Sequence, residues 1–226
     1  MNDLNRYLDA AVLKPEMTQD EAAEAIKACI ALETYSVCVR PCDISLAQSL
    51  CAGSQTRVCV VLGFPHGDQL PASKADEAAR YIEMGVDEID MVANYGWVRS
   101  GNWEATGTDI ANVARLAGPK EILLKVIFET AQLNAGQIRQ LTEICIEAGA
   151  DYVKTSTGFN GEGANEADVQ VMLEAASDRA KVKASGGIRD AAGAQRFLDL
   201  GASRLGVGWS SCAAICGSGE ASGSGY

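Results

Sequence analysis

Two segments, Asp151-Tyr-Val-Lys-Thr-Ser-Thr-Gly158 and Lys181-Val-Lys-Ala-Ser-Gly-Gly187, carry the reading of the fold class. Each places a lysine, Lys154 or Lys183, in a short β-branched run that predicts a strand, followed by a loop and a helical segment. The separation of 29 residues between the lysines suits successive βα units of one parallel sheet. Inward-pointing lysines at the carboxyl ends of adjacent strands lie a few ångströms apart. A second ammonium disfavours the charged form of the first, so one of the pair can be a neutral amine near pH 7. A neutral amine attacks a carbonyl and forms a Schiff base. The competing reading is two unrelated lysines, one of them in a surface ion pair. The equally specific residues around both weigh against it.

The same alternation runs through the chain. Strands are expected at 36–39, 57–63, 88–93, 122–128, 152–155, 182–185 and 204–207, and Tyr7-Leu-Asp-Ala-Ala-Val-Leu13 can supply a short eighth. Helices are expected at 18–32, 43–52, 71–84, 103–116, 134–148, 165–176 and 190–200. Thr18 with Glu21 three residues on is a capping-box pattern. Gly85, Gly149 and Gly201 stand where a helix stops. Strands alternating with helices imply a parallel sheet, and eight βα units close into a barrel with its site at the carboxyl ends of the strands. An open doubly wound sheet competes, but no strand is followed by a Gly-x-Gly-x-x-Gly loop. We expect one α/β domain, a (β/α)8 TIM barrel over residues 1–216, and a flexible Gly/Ser-rich tail over 217–226 that ends in Tyr226.

Composition narrows the function classes. A chain of 226 residues that is 47% hydrophobic can bury one sizeable core. A net charge of -11 argues against nucleic acid as the main partner. It says little about a small anion, which responds to the local field inside a pocket. The eight cysteines include no Cys-x-x-Cys, and His66 is the single histidine, so no zinc framework is expected. The N-terminus lacks a signal-peptide pattern. No apolar run reaches the roughly 20 residues that span a bilayer. A cytoplasmic protein with reduced thiols and no membrane partner is expected.

Other polar residues fall at predicted strand ends. Asp90, between Ile89 and Met91, is either inward and paired or a strand-edge charge. Facing inward beside two lysines, it would stay ionised and could orient a proton-carrying water. Asp9 is a similar candidate on the first strand, and Lys125 is a third strand lysine. Lys125 is balanced between a substrate contact and a structural ion pair inside the barrel. Thr157-Gly158, Ser185-Gly-Gly187 and Gly206-Val-Gly208 follow the last three strands. Backbone amides exposed by glycine at a helix start bind phosphate, and Arg189 could add charge. Tight βα turns use glycine in any case; with the lysines, these glycines suggest a phosphorylated carbonyl substrate.

Taken together, Leu8-Asp9, Val12-Leu-Lys-Pro15, Val37-Cys-Val39, Gly63-Phe-Pro65, Asp87-Glu-Ile-Asp90, Leu124-Lys-Val-Ile127, Val153-Lys-Thr-Ser-Thr-Gly158 and Lys183-Ala-Ser-Gly-Gly-Ile-Arg189 match one family over nearly the whole length. The chain resembles deoxyribose-phosphate aldolase, a class I aldolase family. The resemblance implies that Lys154 forms the Schiff base with acetaldehyde, that Lys183 lowers the pKa of Lys154, and that Asp90 organises a proton relay. The enamine would add to glyceraldehyde 3-phosphate, giving 2-deoxyribose 5-phosphate, without metal or other cofactor. Tyr226 would assist proton transfer from its tail, and Cys38 would lie near the substrate, or simply be a buried strand cysteine. The implied substrate-binding set is Asp9, Cys38, Lys125, Thr157, Gly158, Gly186, Gly187, Arg189, Gly206 and Gly208. The partners implied are small aldehydes and a sugar phosphate, in a homodimer or other homo-oligomer. Trp97 and Trp103 would be core lids or an interface patch.

Two departures bear on the substrate. Ala10-Ala11 stand where many relatives carry a threonine hydroxyl. Gly208 and Trp209 replace two phosphate-binding serines if the alignment is ungapped, whereas a short shift would bring Ser210 and Ser211 into place. Phe159 stands where some relatives have lysine. Losing two charge-assisted hydrogen bonds would cost about 3–6 kcal/mol. The same enamine chemistry with relaxed phosphate dependence is therefore an alternative. Further alternatives are a transaldolase or ketose-phosphate aldolase, and a non-catalytic sugar-phosphate-binding barrel.

Overall fold

The computed structural model describes residues 4–218. Of the expected tail only Gly217 and Ser218 are included, and Tyr226 lies outside the described residues. Eight strands close a barrel in chain order: β1 Leu8–Val12, β2 Ser36–Val39, β3 Arg57–Leu62, β4 Glu88–Val92, β5 Leu123–Ile127, β6 Tyr152–Lys154, β7 Lys181–Ser185 and β8 Arg204–Gly208. All neighbours are parallel, and β8 pairs with β1 to complete the ring. The helices are α1 Gln19–Ala31, α2 Ile44–Cys51, α3 Pro71–Glu83, α4 Tyr95–Arg99, α5 Trp103–Ala117, α6 Ala135–Ala148, α7 Glu166–Ala176, α8 Ala191–Leu200 and α9 Cys212–Ile215. The (β/α)8 barrel expected from the alternation is what the chain forms, with no element end shifted by more than one residue.

Local chemistry accounts for the boundaries. Thr18 caps α1 in a reciprocal box with Glu21, and Asn134 caps α6 in the same way with Gln137. Gly85, Gly149 and Gly201 take φ of 81°, 91° and 117°, the left-handed region that ends a helix at little cost to glycine. Helices α4 and α9 were not expected. Each spans little more than one turn, too short to show a helical period, and α4 is set by Asn94, whose side chain accepts from the Trp97 N–H. Trp103 packs partly against the main core.

The period of two along each strand divides the barrel into two environments. Outward residues such as Leu8, Val37, Val60, Ile89, Val126, Val153 and Leu205 join the helices in the main hydrophobic core. The inward set is charged: Asp9, Glu88, Asp90, Lys125, Lys154, Lys183 and Arg204 are all buried. A small apolar group of Ala11, Leu13, Cys38, Cys59 and Val61 occupies the β1–β3 side. The folding drive thus comes from the outer layer, and the lumen is left free to hold chemistry.

Candidate active site

Asp90 is the centre of the lumen. Its Oδ2 accepts from Lys154 Nζ and from Lys183 Nζ, each at 2.7 Å. Its Oδ1 accepts from Lys125 Nζ at 2.7 Å and from the Cys59 thiol at 3.3 Å. The two lysines are register partners on β6 and β7, which is why their side chains meet on one carboxylate.

A second layer holds the first. Lys125 also pairs with Glu88 at 2.6 Å, and Glu88 receives the Arg204 guanidinium through both oxygens at 2.9 and 2.7 Å. Arg204 reaches Asp9 at 2.6 Å and stacks 3.4 Å over the Tyr35 ring. Asp9 in turn binds Lys183 at 2.5 Å and accepts from the Ser36 hydroxyl at 2.7 Å. Three carboxylates therefore face four cations, each side chain no more than 3% exposed. Charges this deep persist only when mutually paired.

In the resting site Asp90 dominates the electrostatics of Lys154. Burial works to lower the Lys154 pKa, but the Asp90 carboxylate outweighs it and holds Lys154 above the ordinary lysine value. A neighbouring ammonium alone would favour a neutral amine; here both ammoniums share one counter-charge, and the charge wins. Burial likewise pushes Asp90 up, yet Lys125, Lys154 and Lys183 together hold it well below the carboxylate range. Burial pushes Lys125 down, while Asp90, Cys59, Glu88 and Asp9 hold it well above.

The structure sorts the expected substrate contacts. Lys125 pairs with Asp90 and Glu88, and Asp9 with Lys183, all inside the barrel lumen. Cys38 is nearly sealed, with Sγ 3.9 Å from Asp90 Oδ2. The Thr157 hydroxyl donates to the buried Glu129 carboxylate, and its N–H donates to Glu129 Oε1 at 3.1 Å. Thr157 therefore braces the loop after Lys154. Gly158 and Gly186 adopt φ of 83° and 88°, and a Cβ on Gly186 would sit 3.5 Å from the Gly158 Cα. The loops after β6 and β7 thus meet backbone to backbone, with Gly187 and Arg189 exposed beyond them. Gly208 ends β8 on the inward face. Trp209, directly after β8, packs partly against the main hydrophobic core.

Glu88, Arg204, Cys59 and Glu129 were missed from sequence. Glu88 and Arg204 carried a signal, since each lies two residues from an inward position, Asp90 or Gly206. Gly206 has a steric cause: a Cβ there would meet Ser185 Oγ at 2.3 Å and Lys183 Cε at 3.2 Å. Gly206→Ala should push Ser185 and Lys183 out of place, at a cost of about 1–3 kcal/mol. Urea unfolding with steady-state kinetics on the same sample checks this. Wild-type stability and activity would show that β8 yields instead.

The chain from residue 5 to 217 matches the model of the DeoC/LacD family aldolases. The chain belongs to the DeoC/LacD aldolase family. The deoxyribose-phosphate aldolase of Brevibacillus brevis is 41% identical over 224 residues, covering 99% of this chain and 100% of that one. A solved structure described as QR15, an aldolase, superposes with a TM-score of 0.90 at 37% identity over 96% of each chain. The deoxyribose phosphate aldolase of Aeropyrum pernix, described as a unique tetramer, gives a TM-score of 0.84 at 28% identity over 95% of this chain and 90% of that one. This member of the family is an aldolase, and the lysine pair lies at the carboxyl end of its barrel strands, where barrel enzymes do their chemistry. No helix among the described residues is long and apolar enough to cross a membrane.

Proposed function

We propose that this aldolase is a cytoplasmic class I enzyme that reversibly cleaves 2-deoxy-D-ribose 5-phosphate to acetaldehyde and D-glyceraldehyde 3-phosphate. The observation that carries the proposal is the single Asp90 oxygen shared by Lys154 and Lys183. Lys154 Nζ gives its extra proton to water and attacks the aldehyde carbonyl; return of a proton to the carbinolamine and loss of water leave an iminium. Asp90, through a water at its Oδ2, takes a proton from the carbon next to the iminium and leaves an enamine. The enamine carbon attacks the acceptor carbonyl, and hydrolysis frees Lys154. Lys183 draws charge from Asp90 and so weakens its hold on the Lys154 proton. The iminium accepts the electron pair, so no metal or other cofactor enters the cycle. Gly158, Gly187 and Gly208 would offer backbone amides to the phosphate, with Arg189 beside them, while Gly186 and Gly206 let the loops and the lysine approach, the Gly186 N–H being donated to the Gly206 carbonyl at 3.2 Å. Tyr226 would assist proton transfer. The working unit is a homodimer or other homo-oligomer.

Incubation with acetaldehyde and borohydride, then peptide mapping, tests the chemistry. One N-ethyl group on Lys154 is expected, and scattered surface labelling with Lys154 untouched would overturn the reading. A relaxed demand for phosphate is favoured by two features. The Thr157 hydroxyl is taken by Glu129, and Phe159 packs edge-on to Phe64 with ring centroids 5.1 Å apart. Comparing turnover of 2-deoxyribose with that of its 5-phosphate decides it. A phosphate preference of about four orders of magnitude, roughly 5.5 kcal/mol, would mean that the contacts in question are not lost and would sink the relaxed form.

A further inference from the structure

Glu129 is fully buried two residues past the end of β5, and its hydrogen-bond partners among the described residues are all neutral. Its Oε1 accepts from the Thr157 N–H at 3.1 Å. Its Oε2 accepts from the Thr157 hydroxyl and from Asn160 Nδ2, the latter at 3.1 Å. Both partners belong to the loop that follows Lys154. The Glu129 backbone takes φ 58° and ψ 62°, left-handed values that disfavour a residue with a side chain. A sealed carboxylate on strained backbone, with only neutral donors around it, persists where the surrounding structure holds it in place. Such strain gathers at functional sites.

The carboxylate fixes the direction of each hydrogen bond in that loop. It only accepts, so the Thr157 hydroxyl must donate to it. The hydroxyl oxygen is left as an acceptor and takes the Phe159 N–H at 3.0 Å. Of the three consecutive amides from Thr157 to Phe159, that of Gly158 alone has no hydrogen-bond partner among the described residues. Consecutive amides around a left-handed glycine form an anion-binding concavity, and Gly158 takes φ 83°. Asn160 ties the same loop to its neighbours. Its Nδ2 also donates to the Pro65 carbonyl at 2.8 Å, and its own carbonyl accepts from Gln132 Nε2 at 3.0 Å. The loops after β3, β5 and β6 are thereby joined around one carboxylate. An amide at position 129 could not replace it, because one of its two polar ends donates and would face a donor.

We propose that Glu129 is a positioning residue for the phosphate end of the substrate. It acts through Thr157, holding the loop so that the Gly158 N–H is left for an anionic oxygen, and it takes no part in the chemistry at Lys154. The inference rests on the role proposed for the Gly158 amide in phosphate binding. It does not rest on the Schiff base.

The test compares the full chain with Glu129→Gln, which keeps the side-chain volume and turns one acceptor into a donor. The Kd for inorganic phosphate, read by calorimetry, should rise by about tenfold, and the KM for 2-deoxyribose 5-phosphate with it. Three readouts should stay within about twofold: kcat on that substrate, kcat/KM on 2-deoxyribose, and borohydride trapping of acetaldehyde on Lys154. A general loss of structure would move all three. Thr157→Val removes the hydroxyl, keeps the shape and should raise the phosphate Kd by a similar factor. It carries the same test if Glu129→Gln does not fold. The double variant should be no weaker than the weaker single one, because both changes cut one path. An unchanged phosphate Kd in the variants, additive losses in the double, or no phosphate binding by the wild type overturns the positioning role. Lys154 labelling that falls in step with phosphate affinity overturns it too. If Lys154 is never labelled, even in the wild type, while the variants still lose phosphate, the Schiff-base reading fails and the role of Glu129 stands.

Discussion

Lys154→Met should abolish imine capture and lower kcat/KM by about four orders of magnitude or more, the scale seen when a covalent nucleophile is removed. Methionine keeps most of the volume, so the effect isolates the amine. Its pH behaviour is more discriminating. Lys154 sits above its ordinary value because Asp90 outweighs burial. The rate of borohydride trapping in the free enzyme should therefore climb through an apparent pKa above the ordinary lysine value of about 10.4. Asp90→Asn removes the counter-charge and leaves burial and the Lys183 ammonium unopposed. The limb should then move below about 10.4, even as turnover collapses for want of a proton relay. A wild-type limb near neutrality would show that Lys183 outweighs Asp90 and that this account of the resting charge is wrong.

Arg204→Met should destabilise the fold by about 3–5 kcal/mol, the cost of breaking a buried ion pair by removing one partner. Arg204 joins Asp9 and Glu88 and covers Tyr35, so its loss is chiefly structural. The urea midpoint measures the effect. Arg204→Lys keeps the charge but cannot span both carboxylates, and should recover only part of it. Adding Glu88→Gln to Arg204→Met should cost less than the sum of the two single changes, because the stranded charge is gone. Full additivity would mean that the two residues do not act as a pair.

The same network sets the pH range of stability. Asp9 and Asp90 are depressed in the folded state, despite burial, by the cations around them. Their contribution is present above the ordinary carboxylate value of about 3.9 and is lost as pH falls through the lower folded values. Lys125 and Lys154 are raised, against burial, by the carboxylates. Their contribution is present below about 10.4 and is lost as pH rises through the higher folded values. A broad plateau between these limits follows.

Much of this was legible in sequence, because period and punctuation are local properties. The alternation of β-branched runs with capped, Gly-terminated helices gave the barrel. The meeting of Lys154 and Lys183 was legible as two lysines on successive strands, while the sequence leaves Asp90 open between an inward and a strand-edge position. What stayed hidden depends on which inward side chains meet in space, which strand parity does not encode. Lys125 and Asp9 share a face with the reactive pair and are tied to Asp90, Glu88 and Lys183 in ion pairs. Thr157 lay in a loop whose partner, Glu129, is 28 residues away. The resting charge of Lys154 depended on a carboxylate shared in space, which no spacing of two lysines reveals.

The ring of lumen ion pairs also bears on how the chain is made. Arg204 lies 195 residues from Asp9 and 116 from Glu88. Until the last strand has left the ribosome, the first strand lacks both its edge partner and this counter-charge. A nascent barrel of seven strands would hold three carboxylates and three lysines around an open seam. Closure therefore waits on the final βα unit, and such non-local pairing makes folding slow. The thin charged seam inside the sheet acts as a check on completeness: an interrupted chain cannot satisfy it and is left open to proteolysis.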